Sequence, residues 1–118
     1  MIEVFKEFTF DSAHYLPNVP IGHKCARLHG HTYRIKIGVA GRVDPHTGFV
    51  IDFGDLKVIV KTLIDQLDHT LLNDTIANPT CENLAEYFWE SLFNSLPLSF
   101  IEVWETPTSG CVKRAVSR

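Results

Sequence analysis

The segment K-C-A-R-L-H-G-H, which begins at Lys24, brings a thiol and two imidazoles close together in the chain. A single glycine separates His29 from His31, and an alternating apolar and polar run follows them. Residues two apart on a β-strand point to the same side, so the two imidazoles can converge without a bend in the backbone. This spacing indicates a metal-chelating pair. The alternative is that both histidines make ordinary hydrogen bonds, since H-G-H also occurs by chance.

A third imidazole, from His14, lies at the end of the first predicted strand, in phase with that strand's apolar face. Three neutral imidazoles are a common ligand set of catalytic zinc, which keeps a fourth position open for water or substrate. No fourth strong ligand is evident, which favours a catalytic site over a structural one. Taken alone, His14 could equally be a buried or surface residue that makes one hydrogen bond.

Cys25 follows Lys24 and precedes Arg27 by two positions, in a long loop between two predicted strands. Positive neighbours favour the thiolate, which could serve as a base, a nucleophile or a fourth zinc ligand. The alternative is an inert, partly buried cysteine. Cys81 and Cys111 are interpreted as packing residues.

Two further polar features are candidates for chemistry. Asp68 can orient the imidazole of His69, provided that the preceding helix has ended, because adjacent residues on a helix do not face each other. The alternative is a histidine that interacts with the helix dipole. Glu105 is in phase with two apolar residues of its strand, and an inward carboxylate needs a partner, such as a guanine-like edge with two N–H donors. Otherwise Glu105 lies at the strand end, in water.

The elements that must position these groups follow the order ββ-αα-ββ. Period-two alternation predicts strands over residues 2–14, about 31–43, 99–106 and 111–117. Asp52 and Thr80 are the predicted N-caps of two amphipathic helices, the first ending near Asp68 and the second stopped by Pro97. Strands at both ends of the chain predict an α+β fold, an antiparallel four-stranded sheet with two helices on one face. The open sheet edges favour association between copies.

The composition limits the classes of function. A chain of 118 residues with 45% hydrophobic residues suits a single domain over 1–118. Its net charge is −3 and its basic residues are scattered, so no nucleic-acid-binding stripe is expected. No secretory leader and no membrane span are expected from the apolar runs. Three cysteines, an odd and low number, favour a reducing compartment and a cytoplasmic location.

The motifs together resemble those of the 6-pyruvoyltetrahydropterin synthase family, over essentially the whole chain. They are S-A-H, C-A-R-L-H-G-H, D-P-H-T-G-F-V-I-D-F, L-D-H, N-P-T-x-E-N and E-T-x-x-x-G-C. The resemblance implies the tunnelling fold and rings of subunits, commonly a homohexamer built as a dimer of trimers. It also implies that His14, His29 and His31 bind zinc, that Cys25 accepts a proton and that Asp68 and His69 relay protons. Glu105 would anchor the pterin ring.

The spacing C-x-x-x-H-G-H is most similar to the 6-carboxytetrahydropterin synthase branch of the family. That branch implies a lyase that converts 7,8-dihydroneopterin triphosphate to 6-carboxy-5,6,7,8-tetrahydropterin, acetaldehyde and triphosphate, toward 7-deazaguanine and queuosine. One alternative is triphosphate elimination alone, which gives 6-pyruvoyltetrahydropterin. Others are a non-catalytic zinc- or pterin-binding protein and a metal hydrolase.

Overall fold

The computed structural model describes residues 1–116, in which four antiparallel strands form one sheet in chain order. Two helices connect the second strand to the third and pack on one face of the sheet. The elements are β1 (Ile2–His14), β2 (His29–Gly41), α1 (Phe53–Leu67), α2 (Cys81–Leu92), β3 (Leu98–Thr106) and β4 (Ser109–Arg114). The predicted α+β architecture is therefore confirmed. No helix among the described residues has the length and apolar character that a membrane crossing requires.

The interior lies between the helices and the inward face of the sheet. Strand residues two apart alternate between core and solvent, and those of the inward phase are buried: Phe10, Tyr33, Ile35, Ile37, Val39, Ile101 and Val103. One stripe of each helix covers them, including Leu56, Val60 and Leu67 of α1 and Leu84, Phe88 and Leu92 of α2. Burying each such side chain stabilises the fold by roughly 1.5–3 kcal/mol, so this face fixes which strand residues point inward.

Both predicted helix caps are confirmed by hydrogen bonds. The Asp52 side chain accepts from the backbone N–H of Gly54 at 2.6 Å, and Thr80 Oγ1 accepts from that of Asn83 at 3.0 Å. Each bond satisfies one amide that has no partner inside the helix. The cap at Thr80 also fixes the chain just after Pro79, which contacts the functional site.

The predicted boundaries of three elements were wrong. Strand β2 begins at His29 and ends at Gly41, because its ladder with β1 runs from the His14–His29 pair to the Ile2–Gly41 pair. Helix α2 ends at Leu92 rather than near Pro97, since residues 93–95 already form a turn before β3. Strand β4 ends at Arg114, where its ladder with β3 ends; the predicted extension reaches Ser117, which lies outside the described residues.

The end of α1 is held against β1 by backbone hydrogen bonds. His69 donates its N–H to the carbonyl of Asp11 at 2.6 Å, and Ala13 donates to the carbonyl of Thr70 at 3.0 Å. The backbone N–H of Asp11 also donates to Oδ1 of Asp68 at 2.9 Å. These contacts place residues 68–70 beside the sheet end at which β1 delivers His14.

Candidate metal centre and adjoining polar groups

Three imidazoles and one carboxylate converge at one end of the sheet. His14 ends β1, His29 and His31 open β2, and Glu105 lies near the end of β3, so all four are inward residues of neighbouring strands. Nε2 of His14 lies 3.0 Å from Nε2 of His29. Oε1 of Glu105 lies 3.2 Å from Nε2 of His14 and 3.2 Å from Nε2 of His31. The four ligand atoms all lie within 4.8 Å of one another.

The hydrogen bonds of the ring nitrogens show that this cluster fits a cation. Nδ1 of His14 donates to the carbonyl of Pro79 at 2.8 Å, and Nδ1 of His29 donates to that of Arg27 at 2.7 Å. Carbonyls only accept, so in the neutral rings both Nε2 atoms carry lone pairs, which face each other at 3.0 Å. Nε2 of His31 is buried and has no hydrogen-bond partner among the described residues. Lone pairs in this arrangement repel each other unless a positive ion lies between them.

The donor set is typical of zinc, which binds neutral imidazole nitrogens and carboxylate oxygens. Carbonyl acceptors on the far ring nitrogens fix the tautomer that such binding requires. The Tyr33 hydroxyl, buried 3.2 Å from Nδ1 of His14, lies on the same far side of that ring. The residues present therefore fit the metal that the sequence predicts, with Glu105 as an additional candidate ligand.

Electrostatics in the cluster also favour a cation beside Glu105. When His14 is protonated on both nitrogens, its hydrogen bond to Glu105, together with the nearby imidazoles, holds the pKa of Glu105 below its usual range, although burial opposes this. Burial tends to lower the pKa of His14, but Glu105 and the Pro79 carbonyl outweigh it and raise that pKa. Burial, followed by the charges of His14 and His29, lowers the pKa of His31 against the attraction of Glu105. The carboxylate thus stays ionised and attracts positive charge.

Asp68 and His69 form an ion-pairing couple just after α1. Because the helix ends at Leu67, Asp68 and His69 are not held in the helical geometry that would point adjacent side chains apart. Oδ1 of Asp68 lies 2.9 Å from Nδ1 of His69. His69 has φ of 58°, the one positive φ of a non-glycine residue within 1–116. The hydrogen bond from the Asp11 backbone N–H, then the charge of His69, holds the pKa of Asp68 below its usual range. The carboxylate therefore stays ionised and can orient the imidazole.

Asp11 is a contributor that the sequence analysis missed. Its backbone N–H and carbonyl bind Asp68 and His69, and its side chain accepts a hydrogen bond from Oγ1 of Thr32 at 2.5 Å. The two backbone contacts leave no signal in the sequence, because any residue type could make them.

A cavity of about 700 Å³ connects the metal cluster to the Asp68–His69 couple. It is lined by His31 and His69, together with Leu28, Thr70 and other residues of the sheet end. A second cavity, of about 470 Å³, opens beside His31 and Glu105. A ligand in the first cavity could contact both the metal cluster and an acid/base group.

Cys25 is not brought into this group. It lies in a short 3₁₀ turn, Lys24–Ala26, where it is half-buried, and its backbone N–H donates to Nδ1 of His23 at 3.0 Å. It lines neither of the two cavities. The catalytic role of Cys25 stays a prediction.

The other cysteines lie away from the cavities, between α2 and β4. Sγ of Cys81 is 3.3 Å from Sγ of Cys111 and 3.2 Å from the carbonyl of Val103. Burial raises the pKa of both thiols, so both stay protonated at neutral pH. Both thiols occupy packed positions, as interpreted from the sequence.

The fold and the cluster define a small α+β domain with a group of three histidines and one glutamate, at one end of its sheet, that could hold a metal ion. Residues 3–115 match the 6-pyruvoyl tetrahydropterin synthase family. The chain belongs to this family. Its similarity to solved structures includes the 6-pyruvoyl tetrahydropterin synthase of Caenorhabditis elegans, with a TM-score of 0.88, 26% identity and coverage of 98% of this chain and 96% of that one. The tunnelling fold is thereby confirmed.

Several of its relatives carry the name 6-carboxy-5,6,7,8-tetrahydropterin synthase. The protein from Haemophilus influenzae is 36% identical, over 94% of this chain and 97% of its own length. The protein from Synechocystis is 39% identical, over 90% of this chain and 88% of its own length. The resemblance drawn from the sequence motifs, including its carboxy branch, agrees with these relatives.

Proposed function

We propose that this protein is a zinc-dependent carbon–carbon lyase that converts 7,8-dihydroneopterin triphosphate and water to 6-carboxy-5,6,7,8-tetrahydropterin, acetaldehyde and triphosphate. The observation that carries the proposal is the cavity that joins His31 of the metal cluster to His69 of the Asp68–His69 couple. Relatives of similar length that carry the name of this synthase support the choice of reaction. Zinc bound to His14, His29 and His31 would supply a Lewis acid for the side-chain hydroxyls of the substrate.

The chain's own groups divide the remaining work. Cys25 takes a proton from the carbon that bears a hydroxyl, and His69 gives or takes protons on the other side of the substrate. Asp68 holds the imidazole of His69 in one orientation and stabilises its charged form, through the 2.9 Å contact to Nδ1. The carboxylate of Glu105 accepts hydrogen bonds from two adjacent N–H groups of the pterin ring. Alternatively, since it lies 3.2 Å from two imidazoles, it binds the metal.

Three further features belong to the proposal. The protein assembles as a homohexamer, a dimer of trimers, it works in the cytoplasm, and its product enters queuosine or 7-deazaguanine biosynthesis. The family motifs of the sequence support the assembly and the pathway, and the low, odd number of cysteines supports the location. An assembly would also let the Cys25 of one copy reach the cavity of another, which fits the position of Cys25 outside the cavities of a single chain.

Variants of His69 and Cys25 test the assignment of roles. In zinc-loaded protein, His69→Gln and Cys25→Ala should each lower kcat by about 100-fold or more, the usual contribution of a positioned acid or base, with zinc content unchanged. His46→Gln, at an exposed loop histidine, is the matched control and should keep full turnover. Full turnover by the zinc-loaded His69→Gln variant would show that His69 does not transfer protons in the reaction.

A further inference from the structure

Arg34 stands out among the cations on the outer face of the sheet. The cross-strand neighbours of Lys36 are Glu7 and Glu102, and its Nζ lies 3.6 Å and 3.8 Å from their Oε1 atoms. Two residues along the same strand, and on the same face, Arg34 has Thr9 and Trp104 as its cross-strand neighbours instead. No carboxylate of residues 1–116 forms an ion pair with it. The sheet therefore neutralises Lys36 and leaves the charge of Arg34 for another partner.

The guanidinium of Arg34 is oriented by an aromatic ring and not by an ion pair with a carboxylate of residues 1–116. It lies 4.6 Å from the ring centroid of Trp104. The indole is itself fixed, since Nε1 of Trp104 donates to Oε1 of Glu102 at 2.8 Å. Stacking on an aromatic face orients a guanidinium and leaves its N–H donors free, so little side-chain entropy is lost when an anion binds.

Arg34 also lies at the functional site. It lines the cavity of about 470 Å³ whose other walls include His31, Glu105 and Trp104. Lys24 and Arg27, the basic residues that the sequence places beside Cys25, line neither this cavity nor the larger one. Among the residues that line this cavity, Arg34 is the one lysine or arginine, so it is the permanently cationic group there that can meet an anion.

We propose that Arg34 binds the phosphate oxygens of the substrate and thereby selects phosphorylated over unphosphorylated pterins. The proposal rests on the proposed function, because it assigns a binding group for the triphosphate of the same substrate. A guanidinium offers paired N–H donors that match two phosphate oxygens, and a charge-assisted bond of this kind contributes about tenfold or more to affinity. Thr32, next to Arg34 in the same cavity wall, has its hydroxyl bonded to Asp11 and does not compete for the anion.

The test compares two fluorescent, non-reacting ligands, neopterin and neopterin triphosphate, titrated against zinc-loaded protein. Arg34→Gln should weaken the affinity for neopterin triphosphate by about tenfold and leave the affinity for neopterin within about twofold of that of the wild type. Arg34→Lys should recover part of the loss, because it keeps the charge but not the paired donors. Lys36→Gln, at the paired cation one row along the same strand, is the matched control and should leave both ligands unchanged.

The outcomes separate this inference from the proposed function. If the wild type binds both ligands and Arg34→Gln does not discriminate between them, the role of Arg34 is wrong and the pterin site stands. An equal loss in Lys36→Gln would also overturn it, since the effect would then be one of general surface charge. If the wild type binds neither ligand, the proposed function and the role of Arg34 both fall.

Discussion

Replacing His31 with alanine tests whether this residue is a metal ligand or an ordinary core histidine. Its Nε2 is buried without a hydrogen-bond partner among the described residues, and its side chain is 18% exposed at the wall of two cavities. Truncation therefore removes an unsatisfied polar atom and enlarges a space that already exists. We expect the metal-free variant to unfold within about 1 kcal/mol of the metal-free wild type, because these effects offset the lost contacts.

The stabilisation by zinc should differ between the wild type and His31→Ala. At free zinc about 1,000 times the dissociation constant, binding stabilises the native state by about 4 kcal/mol, or roughly 15 °C in melting temperature for a domain of this size. Losing one ligand should weaken binding by more than about 100-fold, since even the removal of a supporting hydrogen bond to a ligand costs about 10- to 100-fold. At the same free zinc the variant then gains at most about 1.4 kcal/mol, or roughly 5 °C.

The assay is differential scanning fluorimetry with zinc buffered by a chelator, on wild type, His31→Ala and His46→Ala. His46 lies exposed in the loop after β2, so its variant should show the full zinc-induced shift. An undiminished shift in His31→Ala would refute the metal centre at the sheet end. A metal-free His31→Ala variant destabilised by several kcal/mol would refute the reading of its Nε2 as an unsatisfied group.

Three further predictions concern other parts of the molecule. Tyr33→Phe removes the hydroxyl 3.2 Å from Nδ1 of His14 and should lower zinc affinity by about tenfold in competition with a chromophoric chelator; an unchanged affinity would exclude that contact as a support. The pKa of Asp68 lies below its ordinary 3.8, so its ionised form stabilises the fold above that pH, and the stabilisation is lost as the pH falls through the lower folded value. In urea titrations from pH 6 to pH 3, Asp68→Asn should therefore lose less stability than the wild type, and equal slopes would contradict this. Gly38→Ala places a Cβ into the ring of Phe100 and should cost about 1–3 kcal/mol in urea unfolding, whereas a neutral result would mean that the ring moves aside freely.

Strand phase made it predictable which side of the sheet these polar side chains face. His14 and Glu105 follow buried residues of their strands at intervals of two, and His29 and His31 precede those of β2 at the same interval. Side-chain direction on a strand depends only on that local period. The helices were predictable for a similar reason, because caps and apolar stripes are local in sequence. The ends of the strands were less predictable, since a ladder ends where its partner strand ends.

Other features of the site depend on contacts that the sequence does not reveal. Asp11 supports Asp68 and His69 largely through its backbone, which no residue type announces. The closeness of Glu105 to the imidazoles depends on the ends of three strands and on an irregularity in the β3–β4 ladder between Trp104 and Thr106. The path of the long loop that carries Cys25 follows no period, so the spacing to His29 did not predict where the thiol lies.

Product analysis tests the proposed reaction most directly. Zinc-loaded, assembled protein would be incubated with 7,8-dihydroneopterin triphosphate and its products separated by mass spectrometry. We expect 6-carboxy-5,6,7,8-tetrahydropterin together with acetaldehyde and triphosphate. A 6-pyruvoyl product would contradict the cleavage step while keeping the metal centre, and no turnover at all by metal-replete protein would contradict the assignment as a lyase.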